Sequence, residues 1–135
     1  MSYSIDEIEG IGPAYAAKLA EIGIKTTEAY LERAKDPKGR KALEDETGID
    51  GKRILKWANM ADLMRISGVG EEYSELLEAA GVDTVKELKH RNAANLAEKM
   101  KEVNETKKLV RQVPSESQVT KWVDQAKELP PMMTY

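Results

Sequence analysis

The sequence contains no cysteine and a single histidine among its 135 residues. The lack of cysteine excludes disulfides, thiolate metal ligands and cysteine nucleophiles, and it is compatible with a reducing compartment. No apolar run approaches the roughly 20 residues that a transmembrane helix needs. The first residues, MSYSIDE, are acidic and hold no apolar signal segment. We therefore expect a cytoplasmic protein that does not contact a membrane.

The sequence also lacks an excess of positive charge. Its formal net charge is −3 at pH 7, whereas domains dedicated to nucleic-acid binding are usually basic. With this net charge, any contact with a nucleic acid would depend on a local basic patch. Hydrophobic residues make up 41% of the chain and charged residues 33%, which is the composition of a folded globular protein. The length allows one compact domain or two very small ones.

An internal repeat organises the sequence. The stretch IEGIGPAYAAKLAEIGIKT, at positions 8–26, returns as ISGVGEEYSELLEAAGVDT at positions 66–84. Seven of the 19 aligned positions are identical, and three of the seven are glycines. Such a repeat predicts two copies of one structural unit.

Each copy has the pattern of two helices joined by a glycine. Gly23 and Gly81 follow a helical segment, at the position where a left-handed residue ends a helix in the Schellman motif. Thr26 and Thr84 then suit the N-cap of a second helix. Thr84 and Glu87 also have the spacing of a capping box. The unit is therefore predicted as helix, tight turn, helix.

A tighter turn precedes each unit. We name the two stretches the first turn, Gly10-Ile11-Gly12, and the second turn, Gly68-Val69-Gly70. Glycine suits them because it adopts positive φ and lets two backbone segments approach closely. The segments before the turns, residues 4–9 and 61–67, are predicted as short helices.

The rest of the chain also carries helical signals. Four further helices are predicted to begin after residues that suit an N-cap, namely Asp36, Asp50, Asn92 and Ser115. The two helices that carry Trp57 and Trp122 look like repeat equivalents, but they are farther apart in the sequence than the two turns are. The second unit is therefore predicted to hold an insertion near residues 105–113.

The sequence thus predicts an all-α fold of roughly eight helices that share a core. Two similar units are expected, over residues 1–60 and 61–129, followed by a short tail at residues 130–135.

The segment IEGIGPAYAAKL resembles the helix-hairpin-helix motif, which reads apolar, Gly, apolar, Gly and, farther along, a small and an apolar residue. The matching residues are Ile8, Gly10, Ile11, Gly12, Ala16 and Leu19, and in the second copy Ile66, Gly68, Val69, Gly70, Ser74 and Leu77. The whole arrangement, with its Trp-bearing helices and its KELPP ending, is similar to an uncharacterised bacterial family of tandem helix-hairpin-helix proteins. This larger resemblance implies a fold and leaves the activity open.

In helix-hairpin-helix proteins the turn contacts the phosphates of a nucleic acid without reading its sequence. The physical basis is that glycine admits close approach and that amides at a helix N-terminus carry partial positive charge. The resemblance therefore implies DNA or RNA as the partner. It also implies phosphate contacts by Gly10, Ile11 and Gly12, and by Gly68, Val69 and Gly70.

Charge distinguishes the two turns. Residues 66–82 contain no lysine or arginine, and they carry four glutamates, Glu71, Glu72, Glu75 and Glu78. Because affinity for a polyanion depends on neutralising phosphates, the second turn is expected to be structural or to face a protein. The first turn follows three acidic residues and precedes Lys18, so both interpretations stay open for it.

Basic residues lie elsewhere in the chain. Lys52, Arg53 and Lys56 lie on the Trp57 helix, and the insertion contains Lys107, Lys108 and Arg111. Interleaved charges of this kind usually form a solvated surface. Those of the insertion are our candidates for a nucleic-acid contact.

The aromatic residues suit packing better than binding. Tyr15 and Tyr73 are able to stack on bases, but their identical place in the repeat favours packing, as it does for Trp57 and Trp122. No carboxylate pair, metal-ligand spacing or phosphate-cradling loop indicates catalysis. We expect a module that is not an enzyme and uses no cofactor or metal.

Two functions remain in view. The first is non-specific binding of the nucleic-acid backbone. The second is a protein-interaction or scaffold role in which acidic turns face a partner protein. A basic stripe beside the first turn would favour the first function, and acidic turns with an exposed apolar patch would favour the second.

Overall fold

The computed structural model describes residues 3–135, and within this range the chain is almost entirely helical. A 3-10 helix, Ile5–Glu7, precedes eight α-helices. They are α1 Pro13–Glu21, α2 Thr27–Ala34, α3 Pro37–Thr47, α4 Gly51–Leu63, α5 Glu71–Ala79, α6 Val85–Leu88, α7 Ala93–Lys107 and α8 Glu116–Glu128. The all-α prediction is confirmed.

The glycines that follow α1 and α5 end these helices as predicted. Gly23 and Gly81 have φ of +84° and +97°. In the first half, Ile24 N–H donates to the Leu19 carbonyl at 2.9 Å, and Gly23 N–H donates to the Ala20 carbonyl at 3.0 Å. This pair of bonds defines the Schellman motif, and the same pair closes α5 at 2.8 and 3.0 Å.

Threonine caps the next helix in both halves. Thr26 Oγ1 accepts from Ala29 N–H at 3.1 Å, and Thr84 Oγ1 accepts from Glu87 N–H at 3.2 Å. The Glu87 carboxylate accepts from Arg91 Nε at 3.1 Å. The capping box predicted at Thr84 is therefore made only in its first half, since this carboxylate pairs with Arg91.

The four other predicted N-caps are also confirmed. At the start of α3, α4, α7 and α8, one backbone N–H donates to the side chain of the cap residue, which is Asp36, Asp50, Asn92 and Ser115 in turn. Gly48 ends α3 with φ of +73°. Local sequence signals therefore set where these helices begin and where α3 ends.

The segment before the second turn differs from the prediction. Residues 61–63 are the last residues of α4, and residues 64–68 form turns, so no separate helix spans 61–67. The reason is that no helix-breaking residue stands between Gly51 and Gly68, and α4 runs on across the predicted boundary between residues 60 and 61. One continuous helix thus connects the two halves.

The extra residues of the second half are spread over a helix and a loop. α7 has 15 residues where α3 has 11, and residues 108–115 connect α7 to α8 where residues 48–50 connect α3 to α4. Lys108 ends α7 with φ of +49°, in the place that Gly48 takes in the first half. The predicted insertion at 105–113 therefore includes the last turn of α7.

Buried side chains form two clusters that meet at α4. Met60, Ala61 and Met64 belong to the cluster of the first half, whereas Leu63 belongs to that of the second half. Between them, the buried Asp62 carboxylate accepts from Val85 N–H at 2.8 Å and from Arg65 at 2.7 Å. α4 therefore joins the two halves through both apolar and polar contacts.

The last six residues pack back on the first half, and we name residues 130–135 the C-terminal strap. Met133 is buried in the cluster of the first half. Thr134 N–H donates to the Lys35 carbonyl at 2.8 Å, and Arg40 donates to the Thr134 carbonyl at 2.7 Å. Tyr135 Oη donates to Asn59 Oδ1 at 2.9 Å. The strap thus links the end of α8 to α2, α3 and α4.

Candidate nucleic-acid interface

The two turns have the same backbone conformation. Gly10 and Gly68 have φ of +93° and +91°, in the left-handed region that favours glycine. Gly12 and Gly70 are the N-caps of α1 and α5, with φ of −83° and −99°. Both turns therefore lead into a nine-residue helix whose first amides have no acceptor within the helix.

The middle residue of each turn is committed to the fold. The side chains of Ile11 and Val69 are buried. Ile11 N–H donates to the Ile8 carbonyl and Val69 N–H to the Ile66 carbonyl, both at 3.1 Å. Of the three residues implied for phosphate contact in each turn, the two glycines therefore keep an amide that is available to a ligand.

The first turn leaves several amides without a protein acceptor. Among residues 3–135, no group accepts from the N–H of Gly10, Gly12, Ala14 or Tyr15. Pro13 has no N–H, and its fixed φ suits the first position of a helix. These donors lie together at the N-terminus of α1, where the helix dipole favours an anion.

A buried tryptophan packs against each turn. Trp57 is buried, and its Nε1 lies 3.2 Å from the position that a Cβ on Gly10 would take. The ring of Tyr15 packs edge-on against Trp57, with centroids 5.2 Å apart. Tyr73 and Trp122 are 5.2 Å apart in the second half. The predicted packing role of these aromatics is confirmed, and so is the equivalence of the two tryptophans.

A cation packs on Tyr15, the third residue of α1. The Arg53 guanidinium, on α4, is 5.8 Å from the centroid of the Tyr15 ring. Arg53 is exposed, and its closest carboxylate contact is a long one, 3.9 Å to Asp50. Lys18 is also exposed, on α1 itself. The sequence placed Arg53 on the Trp57 helix, but its position over Tyr15 depends on how α4 packs against α1.

Carboxylates of both halves gather at the second turn. Glu7 lines the same groove as Gly70, Glu71 and Glu72. Burial raises the pKa of Glu71, and the negative charge of Glu9 raises it further. Burial and Glu9 likewise raise the pKa of Glu75. We name the five residues Glu7, Glu9, Glu71, Glu72 and Glu75 the acidic ridge.

The insertion packs against the second half. Tyr73 Oη donates to the Gln112 carbonyl at 3.0 Å. The charge of Lys107 opposes the rise in the pKa of Glu75, which burial causes. Lys107, Lys108 and Arg111 are all exposed. Of the predicted basic candidates, Lys107 therefore lies near Glu75 of the acidic ridge.

Residues 3–135 offer neither a metal-binding cluster nor a membrane span. No group of three or more histidine, aspartate or glutamate side chains in this part of the chain is placed to hold a metal ion. None of its helices is both long and apolar enough to cross a bilayer.

The fold and the paired turns define a class of all-α proteins built from a duplicated helical unit. The chain belongs to the family described as Domain of unknown function (DUF4332), whose pattern matches residues 9–129. The match includes both turns, both tryptophans and the eight α-helices described above. No curated protein and no solved structure matches the chain.

Proposed function

We propose that the chain is a tandem helix-hairpin-helix module that binds the nucleic-acid backbone through its first turn, without sequence specificity and without catalysis. The observation that carries this proposal is the set of amides at the start of α1. Gly10, Gly12, Ala14 and Tyr15 offer N–H groups for which residues 3–135 supply no acceptor. A phosphate placed there accepts hydrogen bonds and meets the positive end of the helix dipole.

Arg53 adds the charge that these amides lack. Its guanidinium lies over Tyr15, which follows Gly12 by three positions. An arginine held on an aromatic face is positioned to pair with a second phosphate oxygen. The Tyr15–Trp57 contact keeps this surface rigid, since Trp57 is buried beneath the turn.

The second turn has the same backbone, but carboxylates begin the helix that follows it. Its helix begins with Glu71 and Glu72, and Glu7 of the first half lines the same groove. Carboxylates near a phosphate repel it, and they also satisfy the helix dipole that a phosphate would use. In this proposal the second turn has a structural role and does not contact phosphate.

Fluorescence anisotropy of labelled duplex, single-stranded and junction DNA tests the proposal, with titrations at low and moderate salt. The matched variants are Gly12→Glu and Gly70→Glu. A Cβ at either position would have no neighbour within 4 Å, so both variants are expected to fold. Gly12→Glu is expected to weaken binding about tenfold or more, because it sets a carboxylate among the amides. Gly70→Glu is expected to bind like the wild type.

Three other results of the DNA titration would contradict the proposal or part of it. Absence of binding even at low salt contradicts the proposal. Equal losses in both variants contradict the assignment to the first turn. Affinity that does not fall with salt contradicts a phosphate contact, because such contacts release counterions.

The acidic ridge favours a second candidate, the binding of a basic protein segment. Its carboxylates come from both halves, and those of Glu7, Glu71 and Glu72 line one groove. An exposed apolar patch would have strengthened this candidate, but Tyr135 is the one large hydrophobic residue that is strongly exposed in residues 3–135. Titration with a lysine-rich peptide tests it. Binding that is lost in Glu71→Gln with Glu72→Gln supports it, and no binding at low salt contradicts it.

A further inference from the structure

A groove without carboxylates lies beside the second turn, where α8 begins. Its volume is about 480 Å³, within the usual range of small-molecule sites. Its lining includes Ser67, Gly68, Ser115, Ser117, Lys121 and Trp122, and none of its lining residues is acidic. The neighbouring groove shares Gly68 but holds Glu7, Glu71 and Glu72. The two sides of one turn therefore differ sharply in charge.

Trp122 contributes an unused hydrogen-bond donor to this groove. The residue is 1% exposed, and its Nε1–H makes no hydrogen bond within residues 3–135. Every fully buried side-chain nitrogen or oxygen in this range has a hydrogen-bond partner. Because Trp122 Nε1 has none, it must keep some exposure to the groove. It lies 3.3 Å from the position that a Cβ on Gly68 would take, and both residues line the groove. Because an indole N–H only donates, it requires an acceptor from a ligand or from solvent in the groove.

The start of α8 supplies further donors. Lys121 brings a positive charge, and Ser117 brings an exposed hydroxyl. Ser115 Oγ accepts from Gln118 N–H at 3.1 Å, which leaves its own hydroxyl hydrogen free to donate. Glu116, the one carboxylate in the first turn of this helix, lines a different groove together with Lys101. The N-terminus of this 13-residue helix thus borders the same groove as the indole and the ammonium.

One wall of the groove is fixed by a side-chain amide. Gln125 Oε1 accepts from Ser67 N–H at 3.0 Å, and Gln125 Nε2 donates to the Ser67 carbonyl at 3.4 Å. These two bonds hold the second turn at a set distance from α8. The second turn and the buried Trp122 indole are therefore held in place before a ligand binds, which lowers the cost of binding.

We propose that this groove binds a small oxyanion, a phosphate monoester or a carboxylate, with Trp122 Nε1, Lys121 and Ser117 as its donors. The volume leaves space for an organic group attached to the anion. The site belongs to the second half alone. The first half repeats the indole at Trp57, but Glu9 and Asp50 stand at the positions equivalent to Ser67 and Ser115. This inference does not depend on the function proposed for the first turn.

Nuclear magnetic resonance of the full chain tests the proposal directly, because the two indole N–H signals serve as probe and internal control. Inorganic phosphate, and separately acetate, is titrated at constant ionic strength with chloride as the exchanged anion. In the Gly12→Glu variant, whose first turn is not expected to hold phosphate, the Trp122 Nε1–H signal is expected to shift and saturate while the Trp57 signal stays in place. The anion that binds more tightly identifies the phosphate or the carboxylate class.

Two lysine variants on α8 complete the experiment. Lys121→Gln is expected to weaken binding about tenfold, since it removes a charged donor. Lys127→Gln removes an exposed charge of the same helix outside the groove and is expected to bind like the wild type. The proposal is overturned if neither anion saturates the Trp122 signal, if both indoles move alike, or if the two lysine variants lose affinity equally.

Discussion

Trp57 Nε1 and Trp122 Nε1 take the same position under a glycine in the two halves, 3.2 Å from the Cβ site of Gly10 and 3.3 Å from that of Gly68. Both glycines also have φ near +90°. A side chain there would meet an unfavourable backbone conformation and a buried indole at once. Gly10 and Gly68 are therefore required first by the fold.

Alanine substitutions separate this structural need from ligand binding. Gly10→Ala and Gly68→Ala are each expected to lower the free energy of unfolding by about 1–3 kcal/mol, because of left-handed strain and the tight indole contact. Gly12→Ala and Gly70→Ala have space for the added methyl group and ordinary φ, so only the weaker N-cap preference of alanine is expected to matter, at a cost below about 1 kcal/mol. Urea denaturation measures all four. Equal effects at the four positions would contradict this interpretation of the turns.

The C-terminal strap is expected to stabilise the first half. Met133→Ala removes a side chain that is buried in the cluster of the first half, and a loss of about 2 kcal/mol in the free energy of unfolding is expected. Pro131→Ala, at an exposed strap position, is the control and is expected to change stability little. If Met133→Ala behaves like this control in chemical denaturation, the strap does not contribute to the core in solution.

Lys108 ends α7 in a conformation that favours glycine. Its φ is +49°, and the equivalent residue in the first half is Gly48. Lys108→Gly is therefore expected to raise the free energy of unfolding by about 1 kcal/mol. Lys108→Ala removes the same charge but keeps the strained backbone, so no gain is expected from it. Thermal unfolding of the two variants side by side checks this, and a gain in the alanine variant would point to charge as the cause.

The acidic ridge is expected to make stability depend on pH. Burial raises the pKa of Glu75 above its usual 4.5, and Glu9 raises it further, against the opposing charges of Lys56 and Lys107. The native state then binds this proton more tightly than the unfolded state does, so its contribution to stability falls as pH rises above 4.5. Glu75→Gln is expected to be more stable than the wild type at pH 7.

This gain should shrink as the pH is lowered toward 4.5, where the wild-type carboxyl group takes up its proton. Unfolding curves at several pH values measure the difference. Glu98→Gln, at an exposed position of α7, controls for the loss of one negative charge. A gain in Glu75→Gln that is the same at pH 4.5 and pH 7, or no gain at pH 7, would contradict the pKa direction.

Local signals in the sequence predicted most of the fold. Asp36, Gly48 and Thr26 act where their residue types indicate, because caps and helix ends depend on neighbours within a few residues. The repeat also predicted that the two tryptophans are equivalent. The helical spacing after Asp50 extended to Ala61 and Met64, and α4 does continue to Leu63, but the separate short helix predicted over residues 61–67 is wrong.

The candidate site was less predictable, since it depends on contacts between distant segments. Arg53 reaches Tyr15 from another helix, far along the chain, and Glu9 approaches Glu71 across the two halves. The sequence also did not predict that the strap packs on the first half, because Met133 and Thr134 follow two prolines in a segment that reads as a tail. Side-chain charge alone did indicate that carboxylates surround the second turn.

The claim that the first turn binds phosphate and the second does not is tested most directly by backbone amide shifts. A short DNA duplex is titrated into the ¹⁵N-labelled protein at low salt. We expect the amides of Gly10, Gly12, Ala14 and Tyr15 to shift and to return as salt is raised, while those of Gly70, Glu71 and Glu72 stay in place. Shifts confined to the second turn, or none at either turn, would contradict the account.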